Sequence, residues 1–249
     1  MLKEAIRYGL LMPPKTIAYI KMNFKNNEAF TLIETLIVIA IIATLVAITI
    51  PAASKALDSA KRSLAANNLR QIAIAYMLYT STETQPIKAK NLYEWTRLFA
   101  ESTDLNDAHL WYIKDDPLIQ MTSDSLPDLI LLPPNLHQER KLNPDFAKIP
   151  LSLSIAANLP IESPPSTTPL AWTRGLQKNG RWAPDSPYKG KGGHIVFLDG
   201  HVKWFTNLTT SNPLLNYQTQ KPTSNIFEAL PLGTKVFDYR GIVFSAVIQ

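Results

Sequence analysis

The chain has 249 residues, 25 Lys and Arg against 20 Asp and Glu, and no cysteine. That length suffices to bury a real core, and without thiols there is no disulfide framework, no thiolate metal site and no cysteine nucleophile. The net charge is +5, but Lys3, Arg7, Lys15, Lys21 and Lys25 against Glu4 and Glu28 place +3 of it before Ala29. The remainder, about +2, gives no support to nucleic-acid binding.

Residues 1–29 read as a basic leader, within which Met22 to Ala29 alone has the length of a short one. Phe30 to Ile50 follows, apolar but for threonines and one carboxylate, Glu34. A helix of that length spans roughly 31 Å at ~1.5 Å per residue, enough to cross a hydrocarbon core of ~30 Å. It exceeds the ~7–15 apolar residues of a secretory signal peptide. An acidic residue inside hydrocarbon is costly and as a rule has a partner and a task. A cut between Ala29 and Phe30 supplies both: Glu34 becomes the fifth residue of a helix that opens on a free ammonium, and a neighbouring copy's Glu34 can pair with that ammonium. A plain membrane anchor leaves Glu34 without a purpose. Ala40, Ala43 and Ala47 lie on one helix face, where small side chains let a second helix approach.

A basic leader, a small residue, Phe30-Thr31-Leu32-Ile33-Glu34 and an apolar helix together resemble the prepilin signal of type IV pilins and type II secretion pseudopilins. The resemblance implies cleavage between Ala29 and Phe30 by a prepilin peptidase that also N-methylates Phe30, with Glu34 setting axial register in assembly. It implies as partners copies of the chain or other pilin-like subunits, a secretion or pilus assembly machinery with its ATPase, and the lipid bilayer. Pro51 stands where many pilin helices carry a kinking proline. The expected location is the bacterial cytoplasmic membrane, single-pass, with the head periplasmic or extracellular. A cytoplasmic N-terminus agrees with the basic leader.

Past the membrane, Ala53, Leu57, Ala60, Leu64, Leu69, Ile72, Tyr76 and Tyr79 recur at close to helical period. They predict an amphipathic continuation over 51–83 that ends near Thr80 to Pro86. Asn91 to Ser102 reads as a short helix with Leu92, Trp95, Leu98 and Phe99 inward. Pro117 to Pro187 holds 12 of the 19 prolines, which predicts short strands and loops. Asp104, Asp107, Asp115, Asp116, Asp124 and Asp128 lack the glycine-centred spacing of a calcium loop and read as a solvated acidic stretch.

In Gly192-Gly193-His194-Ile195-Val196-Phe197-Leu198-Asp199-Gly200-His201-Val202-Lys203-Trp204-Phe205, the Asp199-Gly200 pair between β-prone runs predicts a two-residue type I′ hairpin. That register sets Leu198 opposite His201, Phe197 opposite Val202 and Ile195 opposite Trp204, with Ile195, Phe197, Val202 and Trp204 sharing one face. His194 and His201 then share a face but stand roughly 13 Å apart at ~3.3 Å per residue, too far for one metal. Asn179-Gly180 predicts a second, smaller hairpin, and Trp172, Trp182 and Trp204 read as packing residues. The Thr168–Trp172 stretch with the Asp-Gly-His-Val motif resembles the C-terminal region of Asp-Gly-ending pilin-like proteins. Beyond it, Lys235 to Phe237 and Ile242 to Ile248 look like two strands able to add to the sheet edge.

The expected fold class is α+β: a long N-terminal membrane-spanning helix, the pilin stalk, with a head carrying a small antiparallel sheet. Its segments are a leader (1–29), a transmembrane helix (30–50), its amphipathic continuation (51–83), the head (84–206) and a C-terminal extension (207–249). No catalytic motif, metal site or cofactor is expected. The rival reading is a membrane-anchored surface binding protein, for polysaccharide or another ligand, that uses the same leader.

Overall fold

The computed structural model describes residues 31–122, 125–133, 140–209 and 211–245. Helix α1, Leu32–Thr82, contains 51 residues and runs on through Pro51. Proline has no N–H to donate to the preceding turn, so one rung of the ladder is missing there. The hydroxyls of Thr44, Thr49 and Ser54 donate back to the carbonyls of Ala40, Leu45 and Ile50 at 2.8, 2.7 and 3.1 Å. Such bonds satisfy hydroxyls that hydrocarbon would otherwise leave without partners.

The chain divides into two units, one ending at Ser54 and the other beginning at Lys55. In the first, every described residue of α1 is exposed. Among the described residues, α1 is the one helix long and apolar enough to cross a membrane.

In the second unit α1 buries Ala65, Leu69, Ile72, Ala73 and Tyr76. The buried face therefore begins twelve residues later than the apolar pattern suggests, and Leu57 and Leu64 stay 61% and 63% exposed. Periodicity fixes which residues share a face; it does not fix how far along the helix other elements cover that face. Helix α2, Leu92–Thr103, opens where Asn91 accepts from the Glu94 N–H and Glu94 accepts from the Lys90 N–H, 2.9 and 2.8 Å. It buries Leu92, Trp95, Thr96, Phe99 and Ala100, packs against the strand Leu153–Ala157, and stacks Trp95 on Phe99 at 4.9 Å with Trp111 edge-on at 6.0 Å.

The proline-rich stretch yields short elements, as proline's missing donor requires. They are the four-residue helix α3, Pro117–Gln120, and strands β1, Leu153–Ala157, and β2, Pro169–Thr173. With β3 (Gly193–Phe197), β4 (Val202–Phe205), β7 (Lys235–Asp238) and β8 (Gly241–Ser245) they form an antiparallel six-stranded sheet in the order β4-β3-β2-β1-β7-β8. Strands β5, Leu214–Leu215, and β6, Pro222–Thr223, make a separate two-stranded ribbon. β1, β2 and β3 are buried along their whole length. Of the strands after residue 207, β7 and β8 join the sheet at the β1 side, with Phe237 opposite Ile155 and both fully buried.

The β3–β4 register differs from the expected one by one residue. Val196 faces Val202, Ile195 faces Lys203 and His194 faces Trp204. The loop has three residues, Leu198, Asp199 and Gly200: Gly200 N–H donates to Phe197 O at 2.9 Å, and Phe197 N–H donates to His201 O at 3.1 Å. A type I′ turn needs positive φ at both central residues, but only Gly200 has it, at +83°. This is the three-residue alternative, a type I turn closed by a left-handed glycine. The extra loop residue exchanges faces along β4. His194, Val196, Val202 and Trp204 share one face and Ile195, Phe197 and Lys203 the other, so His194 and His201 lie on opposite faces. Asn179-Gly180 repeats the design: Gly180, φ +76°, donates to Gln177 O, and Gln177 N–H donates to Arg181 O.

Two glycines here carry different constraints. A Cβ on Gly200 meets only Met77 Sδ at 3.6 Å and Ile74 Cγ1 at 3.9 Å, so its constraint is the backbone. Gly200→Val is expected to cost about 1–3 kcal/mol in conformational strain. Gly193 has no positive φ, but a Cβ there falls 2.6 Å from Cε2 of the buried Trp182 indole and 2.9 Å from Thr173 Cβ. Gly193→Ala is expected to cost a similar ~1–3 kcal/mol, by overpacking. All five tryptophans lie between Trp95 and Trp204, so tryptophan fluorescence of the full chain during urea unfolding reads both losses. A wild-type midpoint for Gly193→Ala would show that Trp182 yields freely.

Candidate functional site

The N-terminal turn of α1 is a closed hydrogen-bonded box. Thr31 N–H and Thr31 Oγ1 both donate to Glu34 Oε2 at 2.8 Å, and Glu34 N–H donates back to Thr31 Oγ1 at 3.3 Å. Thr31 is thus the N-cap and Glu34 the third helical residue of a capping box. Thr-x-x-Glu before an apolar run is the sequence signal for such a box, and sequence reasoning spent Glu34 on assembly alone. The carboxylate sits at the positive end of the helix dipole. Both side-chain bonds fall on one oxygen, so among the described residues Oε1 is left for another donor. Ala29 and Phe30, the expected cleavage and methylation positions, lie outside the described residues.

From this box to Ser54, α1 presents apolar side chains with no intramolecular cover: Leu32 is 84% exposed, Ile48 69% and Ile50 61%. Ala40, Ala43 and Ala47 are exposed with them. A surface of this kind calls for lipid or other helices around it.

Asp199 and Gly200 lie in the second unit. The Asp199 carboxylate accepts from the His201 backbone N–H at 3.1 Å and stands 2.5 Å from His201 Nδ1, while the His201 ring stacks on Phe197 at 4.2 Å. Across the sheet, the buried His194 ring lies edge-on to Trp204 at 4.8 Å and to Tyr188 at 5.8 Å. The Arg62 guanidinium covers Trp204 at 4.3 Å, a cation–π contact between α1 and the hairpin. Burial, with the nearby Arg62 charge, pushes the His194 pKa down to about 4, so the imidazole is neutral at pH 7. Among the described residues no group of three or more His, Cys, Asp or Glu is arranged to hold a metal. Trp172 and Trp182 are buried and Trp204 half-buried.

Asp116 departs from the expected solvated stretch. It is fully buried and holds the equally buried Arg174 through two bonds, Nε at 3.0 Å and Nη2 at 2.5 Å. Ser152 Oγ and the Leu118 N–H donate to the same carboxylate at 2.8 and 2.9 Å, and Arg174 Nη2 also reaches Asp185 O. With its acceptors filled, this pair is framework: it ties the start of α3 to the end of β2. The local part was readable, since Asp followed by Pro is a helix-start signal. Its partner, 58 positions away, left no trace in the sequence.

No curated protein and no solved structure matches the chain. Residues 24–50 match the family model of the prokaryotic N-terminal methylation motif. That segment contains Phe30, the Thr31–Glu34 box and the apolar run of α1, and the match supports a type IV pilin-like, prepilin-type protein; α1, the one helix among the described residues long and apolar enough to cross a membrane, is consistent with a single-pass membrane protein.

Proposed function

We propose that this chain is a structural pilin-like or pseudopilin subunit, cut between Ala29 and Phe30 by a prepilin peptidase, N-methylated on Phe30, and assembled through α1 into a secretion or pilus-type filament. The observation that carries this reading is the capped Glu34 at the first turn of an apolar helix that is bare from Thr31 to Ser54. After the cut, the Phe30 ammonium lies one residue before the cap, and Glu34 Oε1 has room for the ammonium of a neighbouring copy. That contact fixes one helix against the next along their axes, while apolar faces with Ala40, Ala43 and Ala47 close the bundle. Pro51, where a backbone rung is missing, is the place for the helix to bend. The protein acts by assembly and not as an enzyme. The head lies on the far side of the bacterial cytoplasmic membrane from the N-terminus.

Mass spectrometry of the protein recovered from membranes tests the first step. The expected N-terminus is Phe30 carrying one added methyl group. An intact leader, or a cut after the apolar run, defeats the proposal.

A further inference from the structure

Where α1 ends, Met77 with Leu159, Ile161, Pro165 and Leu198 walls a cleft of about 280 Å3. Asp199 lines it too, with Oδ1 taken by His201 and Oδ2 holding no bond among the described residues. Tyr76, only 4% exposed, reaches the same cleft, and its hydroxyl has no hydrogen-bond partner among the described residues. A polar group so buried is normally paired. Thr80, Ser81, Pro160 and Ile161 carry the cleft into a second groove that adds Glu83 and Glu162. No Lys, Arg or His lines either one. The last turn of α1 has no basic residue either, although a cation is the usual complement of a helix C-terminus.

The complement lies on the same head. The turn Tyr188-Lys189-Gly190-Lys191 stands beside Asp58, Lys61 and Arg62 of α1. Lys61 is paired with Asp115 and Arg62 lies over Trp204, whereas Lys189 and Lys191 are exposed and have no ion pair among the described residues. Their N–H groups donate to Ser186 O and Tyr188 O at 2.8 and 3.1 Å, which fixes the turn. Thr80 comes 18 positions after Arg62, about 27 Å along α1 at ~1.5 Å per residue, so the two surfaces of one copy do not meet. We propose that the Lys189–Lys191 turn of one copy docks on the acidic cleft of a second copy displaced by that length along α1, a lysine ammonium donating to Tyr76 Oη and Asp199 Oδ2. Lysine has the matching shape, an apolar stem for the walls and a compact charge at its tip. Each copy carries one surface of each kind, so the contact is head-to-tail and repeats without closing. It rests on the assembly reading, in which copies lie parallel.

Carbodiimide, which joins an amine to a carboxylate without a spacer, tests this on filaments of the wild-type full-length chain. Mass spectrometry of the cross-linked dimers and higher oligomers is expected to find Lys189 or Lys191 joined to Asp199, Glu162 or Glu83. Lys189→Glu with Lys191→Glu is expected to lower filament yield about tenfold or more, since like charges then face each other, and to leave head unfolding unchanged. The same charge change at Lys178 and Lys221, exposed elsewhere on the head, is expected to assemble as wild type does. Filaments whose oligomers lack these links, or show these acids joined only to a different protein, overturn the contact and leave the assembly reading standing. So does a wild-type yield from the Lys189, Lys191 variant, or an equal loss from the Lys178, Lys221 variant, which marks an effect of net charge alone. Absence of filaments from the wild-type chain carrying a Phe30 N-terminus defeats the assembly reading and this contact with it.

Discussion

Asp116→Ala is expected to destabilise the head by about 3–5 kcal/mol, the usual consequence of removing one partner from a buried ion pair. The Arg174 side chain is 2% exposed and that of Asp116 not at all, so the guanidinium left behind loses its buried counter-charge. Its remaining acceptors are the backbone oxygen of Asp185 and, at 3.5 Å, the Asp185 carboxylate. Ser152 and Leu118 lose an acceptor as well. Replacing both partners removes that penalty, because apolar groups of similar volume often substitute for a buried pair at little cost. Asp116→Leu with Arg174→Met should therefore recover most of the loss. Urea unfolding followed by tryptophan fluorescence measures each variant. If Asp116→Ala unfolds within ~1 kcal/mol of wild type, the pair is a bystander, a value typical of exposed ion pairs.

What the sequence revealed and concealed follows the range of the interactions. α1, α2 and the run of short strands rest on local signals: an apolar length, a 3.6-residue period, Asn91 before a helix, prolines spaced too closely for long elements. The region of the Asp199-Gly200 turn was legible for the same reason. Its loop length was not, since Asp-Gly serves both two- and three-residue loops and only the hydrogen bonds of Phe197 with Gly200 and His201 choose between them. That one residue moved Trp204 from the face of Ile195 to the face of His194 and brought it under Arg62. Long-range pairing left no signal: nothing near Asp116 announces Arg174, and nothing in Lys235 to Phe237 says that this strand lies against β1. Burial along α1 was legible in direction but not in extent, because the cover that begins at Ala65 comes from elements remote in sequence. Glu34 was the reverse case. Its cost in lipid drew attention away from the purely local Thr31 bonds that the pattern also encodes.

Those local bonds make Glu34→Gln the more telling of two substitutions, and neither Glu34→Gln nor Glu34→Ala is expected to form filaments. Glu34→Ala removes the carboxylate from the Thr31 box and any pairing with a neighbour's ammonium at once, so by itself it does not separate the two roles. Glutamine at the third helical position still completes a capping box, and its carbonyl oxygen still accepts from the Thr31 N–H and hydroxyl. Only the negative charge is gone. Both variants should insert into the membrane at least as well as wild type, since each removes an acid from an apolar run. Both should leave head unfolding unchanged, because Glu34 lies outside the second unit. The measurement is shearing or cross-linking of filaments, with mass spectrometry confirming a Phe30 N-terminus so that failure to assemble is not failure to be cut. Filaments in neither variant assign the charge to intersubunit register. Filaments of Glu34→Gln at wild-type level, with none from Glu34→Ala, leave Glu34 as a helix cap whose loss frays the first turn of α1, and the ammonium–carboxylate contact falls.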